Sequence, residues 1–207
     1  MGLAYYNHVT MKCKIFVFLL VVIIIFTGIT ASGCNGYRKY TFNNTIANCS
    51  FDVPLSFGPL SVDNVSENFV SIFGTSILNK ESSDLYLSAD VSLISDSYPD
   101  YKTLLEDHLK WAKQGQGEDE FNLIERLPIT IAGVQGEKIT YYYTIHHEAR
   151  IIDNEIIIPE PTQRIKYEAF FENDGILWHI GVSAIVERTE EAQSTFTRII
   201  DTFELLK

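Results

Sequence analysis

From about residue 40 onward the chain carries two hydrophobic rhythms. Leu85, Leu87, Ala89, Val91 and Leu93 are apolar, while Tyr86, Ser88, Asp90 and Ser92 between them are mostly polar. A period of two sends alternate side chains to opposite faces, so this stretch predicts a half-buried strand. Ile139, Tyr141, Tyr143 and Ile145 alternate in the same way with Lys138, Thr140, Tyr142 and Thr144. Ile165, Tyr167, Ala169 and Phe171 alternate with Arg164, Lys166, Glu168 and Glu172. Asn173-Asp174-Gly175 then supplies residues that tolerate positive φ, and Trp178, Ile180, Val182 and Ala184 return on one face. Residues 164–184 therefore predict a hairpin. A second hairpin is predicted from Phe121 to Ile145, turning near Gly133-Val134-Gln135-Gly136.

Two segments switch to the helical period. Tyr101, Leu104, Leu105, His108, Trp111 and Ala112 gather on one side of a helix over 101–113, with Lys102, Thr103, Glu106, Asp107 and Lys110 opposite. Pro99-Asp100 suits its start and Gly115 its stop. In Glu190 to Phe203, residues Ala192, Phe196, Ile199, Ile200 and Phe203 form a second apolar stripe. Thr189 is the expected cap, and Glu190 and Glu191 complement the positive end of the helix dipole. About seven or eight strands and two one-faced helices give an α+β domain with an antiparallel sheet. The helices lie one on each face, or both on one.

The first 34 residues follow neither rhythm. Ile15 to Phe26 is an uninterrupted apolar run, preceded by Lys12 and Lys14 and followed by small residues. That arrangement describes a secretory signal peptide over 1–33. Its roughly fifteen apolar-dominated positions fall short of the roughly 20 that a transmembrane helix needs. Met11 begins a more typical signal than Met1 does. Ala31-Ser32-Gly33-Cys34 resembles a bacterial lipobox, in which a diacylglycerol is attached to the cysteine and the peptidase cuts just before it. The resemblance implies a lipid on Cys34, a tether over 34–40, and a domain over 41–207. The alternatives are an uncleaved signal anchor, or an ordinary signal with Cys34 bridged to Cys49. If Cys34 carries lipid, Cys49 is a lone cysteine, best read as a small buried hydrophobe. Acyl chains contribute about 0.8 kcal/mol per buried methylene, so two or three hold a protein to a bilayer.

The C-terminal third carries a second resemblance. Phe170-Phe171-Glu172-Asn173-Asp174-Gly175 leads into Trp178-His179-Ile180-Gly181-Val182, then a helix, then Ile199-Ile200-Asp201-Thr202-Phe203-Glu204-Leu205. This order resembles PsbP-like domains: extrinsic proteins of photosystem II, bacterial lipoprotein relatives, and Ran-binding Mog-type proteins. Phe51-Asp52-Val53-Pro54 resembles the opening of that family. The tryptophan expected shortly after it is missing, with Phe57 as the stand-in. The likeness spans roughly residues 37–206 and rests on packing motifs. It implies an αβα sandwich around an antiparallel sheet, acting as a binding or assembly module without catalysis. A role in photosynthesis does not follow from the fold.

Charge narrows the partners. The whole chain carries a formal −11, and Lys12 and Lys14 are the only charged residues before position 34. The remainder keeps 14 of the 16 basic residues against all 27 acidic ones, a formal −13. That sign repels phosphate backbones, so a nucleic-acid partner is excluded. The partners expected are the membrane, through the lipid, and a protein of the cell envelope. The expected location is the extracytoplasmic face of the membrane.

Candidate chemistry is sparse. His146-His147-Glu148 is the one local cluster of ligand types, and on a strand only His146 and Glu148 share a face. Two ligands are too few for zinc, so no metal and no cofactor is expected, with His146 and Glu148 as the weak candidates. His108 reads as a hydrogen-bonded core histidine, and His179 as packed under a helix or facing water. Glu118-Asp119-Glu120 lacks the ligand spacing of a calcium loop. Neither a nucleophile elbow nor a phosphate loop occurs. Arg150 to Pro161 inserts five isoleucines between strands. It reads as a hairpin extension turning at Asp153-Asn154, or as an apolar flap whose Ile156, Ile157 and Ile158 dock a partner. Three functions follow in order: a lipid-tethered, non-catalytic binding module; a lipid-anchored hydrolase whose site is assembled from scattered carboxylates and histidines; and a calcium- or manganese-binding lipoprotein. A pocket lined by His108 or His179 with converging carboxylates marks the second.

Overall fold

A computed structural model describes residues 36–76, 84–116, 120–147, 149–152 and 155–206. All of these but residue 36 fall within one compact unit, Tyr37–Lys207. Cys34, Glu148, Asp153, Asn154 and the whole predicted signal lie outside the described residues.

The long alternating segments pair as expected. In chain order the main sheet uses β3 (Ser61–Ser66), β4 (Phe69–Thr75), β5 (Leu85–Leu93), β6 (Phe121–Ile131), β7 (Val134–Ile145), β10 (Thr162–Asn173) and β11 (Ile176–Ile185). Their spatial order is β3-β4-β5-β11-β10-β7-β6, and every neighbouring pair is antiparallel. A three-stranded sheet joins β1 (Tyr37–Asn43), β2 (Asn48–Pro54) and β12 (Glu204–Leu205). Between β7 and β10, β8 (Arg150–Ile152) pairs with β9 (Glu155–Ile157) as the expected hairpin extension. Twelve strands among the described residues exceed the seven or eight predicted. Three of the extra ones, β8, β9 and β12, have only two or three residues, too few to show a period. Strand β1 begins at Tyr37, so residues 37–40 of the expected tether pair with β2.

Both hairpin turns use two residues of positive φ, at Ala132 (50°) with Gly133 (82°) and at Asp174 (51°) with Gly175 (76°). Positive φ at both central positions matches the right-handed twist of the flanking strands. The first turn therefore sits at Ala132-Gly133, earlier than the sequence pattern suggested. Gly136 is spent inside β7, where an added Cβ would collide with the Phe170 carbonyl oxygen and crowd Phe171 Cβ at 2.7 Å.

Two helices cover opposite faces. The first, α1 (Tyr101–Gln116), packs on β6, β7 and β10; the second, α2 (Thr189–Thr202), packs on β2, β10 and β11. Asp100 caps α1, accepting the Thr103 amide at 2.7 Å. Thr189 does not cap α2: it is the first helical residue, and its hydroxyl donates to the Val186 carbonyl at 2.6 Å. The stripe Ala192, Phe196, Ile199 and Ile200 is buried against Ile165, Ala169, Phe171, Trp178, Ile180 and Val182. Phe203 closes that core, edge-on to Phe171 and Trp178 at 5.5 and 5.2 Å. Cys49 and the Trp stand-in Phe57 belong to the same core. Cys49 is a free thiol, and burial pushes its pKa up to about 12. The core under α1 is smaller: Leu105, Phe121, Ile139, Tyr141 and Phe170. Trp111, expected in the apolar stripe, is 72% exposed, because Leu104, Leu105, His108, Leu109 and Ala112 form the contacting face.

Candidate functional site

The side of the sheet that faces α1 carries the polar alternates of β10 and β11 together with Ile139 and Tyr141 of β7. Residues directly opposite on neighbouring strands share a face, so register reads out the layer. Ser71 pairs with Asp90, Asp90 with His179, and His179 with Phe170. Glu168 pairs with Gly181, and Lys166 with both Ser183 and Tyr141. Ser71, Asp90, His179, Glu168, Lys166 and Tyr141 thus form a polar band across β4, β5, β11, β10 and β7. Helix α1 lowers His108 onto it from above.

Glu168 is the centre. It is fully buried, yet three basic groups touch its carboxylate. Lys166 Nζ lies 2.6 Å from Oε1, His179 Nε2 2.8 Å from Oε1, and His108 Nε2 2.7 Å from Oε2. The His108 approach is close but poorly aligned, so Oε2 is buried without a well-aligned hydrogen bond. Room for the side chain comes from Gly181 opposite, where an added Cβ would lie 3.2 Å from Ser88 Oγ and 3.5 Å from Glu168 Cγ and Oε1. His179 Nδ1 faces Asp90 Oδ2 at 3.2 Å, and Ser71 Oγ donates to Asp90 Oδ1 at 2.6 Å. The rings stack too: Phe170 lies 4.4 Å from His179 and nearly parallel, and His108 lies 5.0 Å from His179.

The charges fix one another. Burial works to raise the Glu168 carboxyl, but Lys166, then His179 and His108, outweigh it and hold it well below the ordinary carboxylate range. Burial works to lower His179 and Lys166, yet the Glu168 charge turns both upward, helped at His179 by Asp90. Asp90 is lowered by His179 and Ser71 against its own burial. Tyr141 is pushed far up, first by burial and then by Glu168. The result is a buried ionic network that carries both signs.

Above the network lies a cleft of about 560 Å³, lined among others by Tyr98, His108, Trp111, Tyr141, Tyr143 and Lys166. Small-ligand sites usually span about 300–1,000 Å³, and this one has their composition: aromatic walls with a few convergent polar groups. Tyr98 donates to Asp107 Oδ2 at 2.8 Å, and the Tyr143 hydroxyl meets Ser183 Oγ at 2.7 Å, so both rings are held from behind.

The sequence-predicted residues lie elsewhere. His146 follows the end of β7 and pairs at the surface with Glu120 Oε2 at 2.6 Å; His147 meets Thr162 Oγ1 at 2.8 Å. Ile156 and Ile157 lie in β9, and Ile158 is 72% exposed. His108, expected as a core histidine with hydrogen bonds, does lie 3.3 Å from Tyr141 Oη, but it also contacts Glu168. His179 packs under a helix, as one of its two readings had it. Lys166 and Glu168 were the missed members. Their signal was the hairpin itself: counting back from the 174–175 turn sets Glu168 opposite Gly181 and puts Lys166, Glu168 and His179 on one face.

No protein-family model and no curated protein matches the sequence. Among solved structures, the chain is similar to cyanobacterial PsbP (CyanoP) from Synechocystis sp. PCC 6803, with 15% identity and a TM-score of 0.55 over 84% of this chain and 95% of that one. It is also similar to the Ran-binding protein Mog1p of Saccharomyces cerevisiae, with 9% identity and a TM-score of 0.50 over 82% and 95%. At such identities the likeness concerns architecture alone, and in architecture the chain is an α+β protein of PsbP-like fold.

Proposed function

We propose that the chain is a non-catalytic binding or assembly module, tethered by a lipid on Cys34 to the extracytoplasmic face of a membrane, and that the cleft beneath α1 receives its envelope partner. The observation that carries this reading is the mutual pairing of the ionic groups under the cleft. A general acid or base works best with a pKa near the operating pH. Glu168 is held far below that, Lys166 and Tyr141 are held above it, and His179 is engaged at both nitrogens by carboxylates. The aromatic walls, with Trp111 exposed at the rim, suit recognition. The fold neighbour Mog1p, Ran-binding by name, is a precedent for protein recognition on this architecture. The isoleucines Ile156, Ile157 and Ile158 add a second contact to the partner.

Fractionation tests the tether. Cys34→Ser in the full chain should release the protein or block its processing. Membrane retention of that variant at full length would replace the lipid by a signal anchor.

A second reading keeps one observation in its favour. The mark of a hydrolase was a pocket with His108 or His179 beside converging carboxylates, and Glu168 and Asp90 do converge under such a pocket. Turnover of nitrophenyl ester, phosphate or glycoside substrates that disappears in His108→Ala would establish it.

A further inference from the structure

The buried network holds a donor set that neither its packing nor a partner in the cleft requires. One ring nitrogen each of His108 and His179 and one Glu168 carboxylate oxygen lie within 4.8 Å of one another, from three different elements. We infer that these three residues form a binding site for one divalent transition metal of the zinc class at the floor of the cleft.

The donors decide the metal. Two imidazole nitrogens and one carboxylate oxygen suit zinc and its first-row neighbours, whereas calcium and magnesium take oxygen-only shells. The surroundings are those a ligand shell needs. Asp90 faces His179 Nδ1 and is itself held by Ser71, which turns Nε2, now bonded to Glu168 Oε1 at 2.8 Å, toward the metal as the coordinating atom. Lys166 and His179 both occupy Oε1, while Oε2 is buried without a well-aligned hydrogen bond. A cation bridging Oε2 to the two imidazoles would satisfy it.

Modest movement is required. Zinc ligands at about 2.0–2.2 Å in a tetrahedron stand about 3.3 Å apart, and His108 Nε2 now lies 2.7 Å from Oε2 while His179 Nε2 lies 2.8 Å from Oε1 of the same carboxylate. His108 can supply the shift, since its side chain is 24% exposed and lines the cleft. The cleft is also the access path, and the fourth position would open into it. Three protein ligands with one open position is the arrangement of exchangeable rather than purely structural sites. The inference does not depend on whether the cleft docks a protein.

The test uses the full-length, untagged chain in detergent, stripped with a chelator and titrated with zinc by calorimetry and with cobalt by visible absorption. One ion per chain is expected, with the intense d–d bands of a four-coordinate cobalt site. His108→Gln should abolish that binding, since the helix surface tolerates the change. Asp90→Asn should keep the bands and weaken affinity by about 10–100-fold, as loss of an outer-shell partner does. His146→Gln, at the surface pair with Glu120, should leave the titration unchanged. The inference is overturned by a wild-type chain that binds no ion, by a weak octahedral cobalt spectrum, or by binding that survives His108→Gln or vanishes in His146→Gln.

Discussion

Glu168→Gln probes the network most sharply. The substitution keeps the volume and removes the one charge that Lys166, His179 and His108 share. Lys166, mostly covered, and His179, 11% exposed, are then left facing a neutral amide. Removing one partner of a buried ion pair costs about 3–5 kcal/mol, because the remaining charge stays desolvated and unpaired. At about 2–4 °C per kcal/mol for a domain of this size, the melting temperature should fall by about 6–20 °C. Chelator in all samples keeps bound metal out of the comparison. Lys166→Met completes a double-mutant cycle: if the two groups stabilise each other, the double variant should lose less than the sum of the singles by about 0.5–3 kcal/mol. A Glu168→Gln protein within about 0.5 kcal/mol of wild type, or singles that simply add, would refute the reasoning.

Other features give independent expectations. Phe203→Ala, which removes the ring packed edge-on against Phe171 and Trp178, should cost about 3–5 kcal/mol by denaturant titration. Of the two tryptophans only Trp111 is exposed, so Trp111→Phe should remove the iodide-quenchable fluorescence while stability changes by less than about 0.5 kcal/mol. Cys49, buried and with its pKa pushed up to about 12, should resist thiol reagents at neutral pH until the protein is unfolded, as a colorimetric thiol assay would report. Gly136→Ala should destabilise or misfold the protein, because its Cβ meets backbone that cannot move aside, and circular dichroism would show it.

Much of the scaffold was legible because alternation and helical stripes report burial directly. The 164–184 hairpin, the α1 and α2 segments and the start of α1 after Pro99-Asp100 all came from local pattern. What local pattern cannot give is which polar face a helix will cover. Asp90, Lys166 and Glu168 read as solvent-facing alternates, yet they join His179 and His108 of α1 in one network, with Glu168 fully buried. His108 lies 60 residues before Glu168 in the chain, so only the tertiary fold brings them together. The turn was misplaced because Gly133 and Gly136 look alike in sequence, and only the close approach of β10 tells them apart. Trp111 was misassigned because the α1 stripe is narrow, meeting the sheet through Leu104, Leu105, His108, Leu109 and Ala112. The surface pair His146 and Glu120 shows the converse: residues adjacent in sequence, at 146–148, drew attention that long-range geometry redirects.

The cleft as working surface is tested most directly by placing a photo-activatable residue at position 111 of the full chain and irradiating intact cells. The same probe at Leu55, 49% exposed just after β2, is the control. The account predicts one discrete envelope adduct from position 111, dependent on Cys34 and weakened by Tyr143→Ala, and none from position 55. Equal labelling from both positions, or no adduct from position 111, would contradict it.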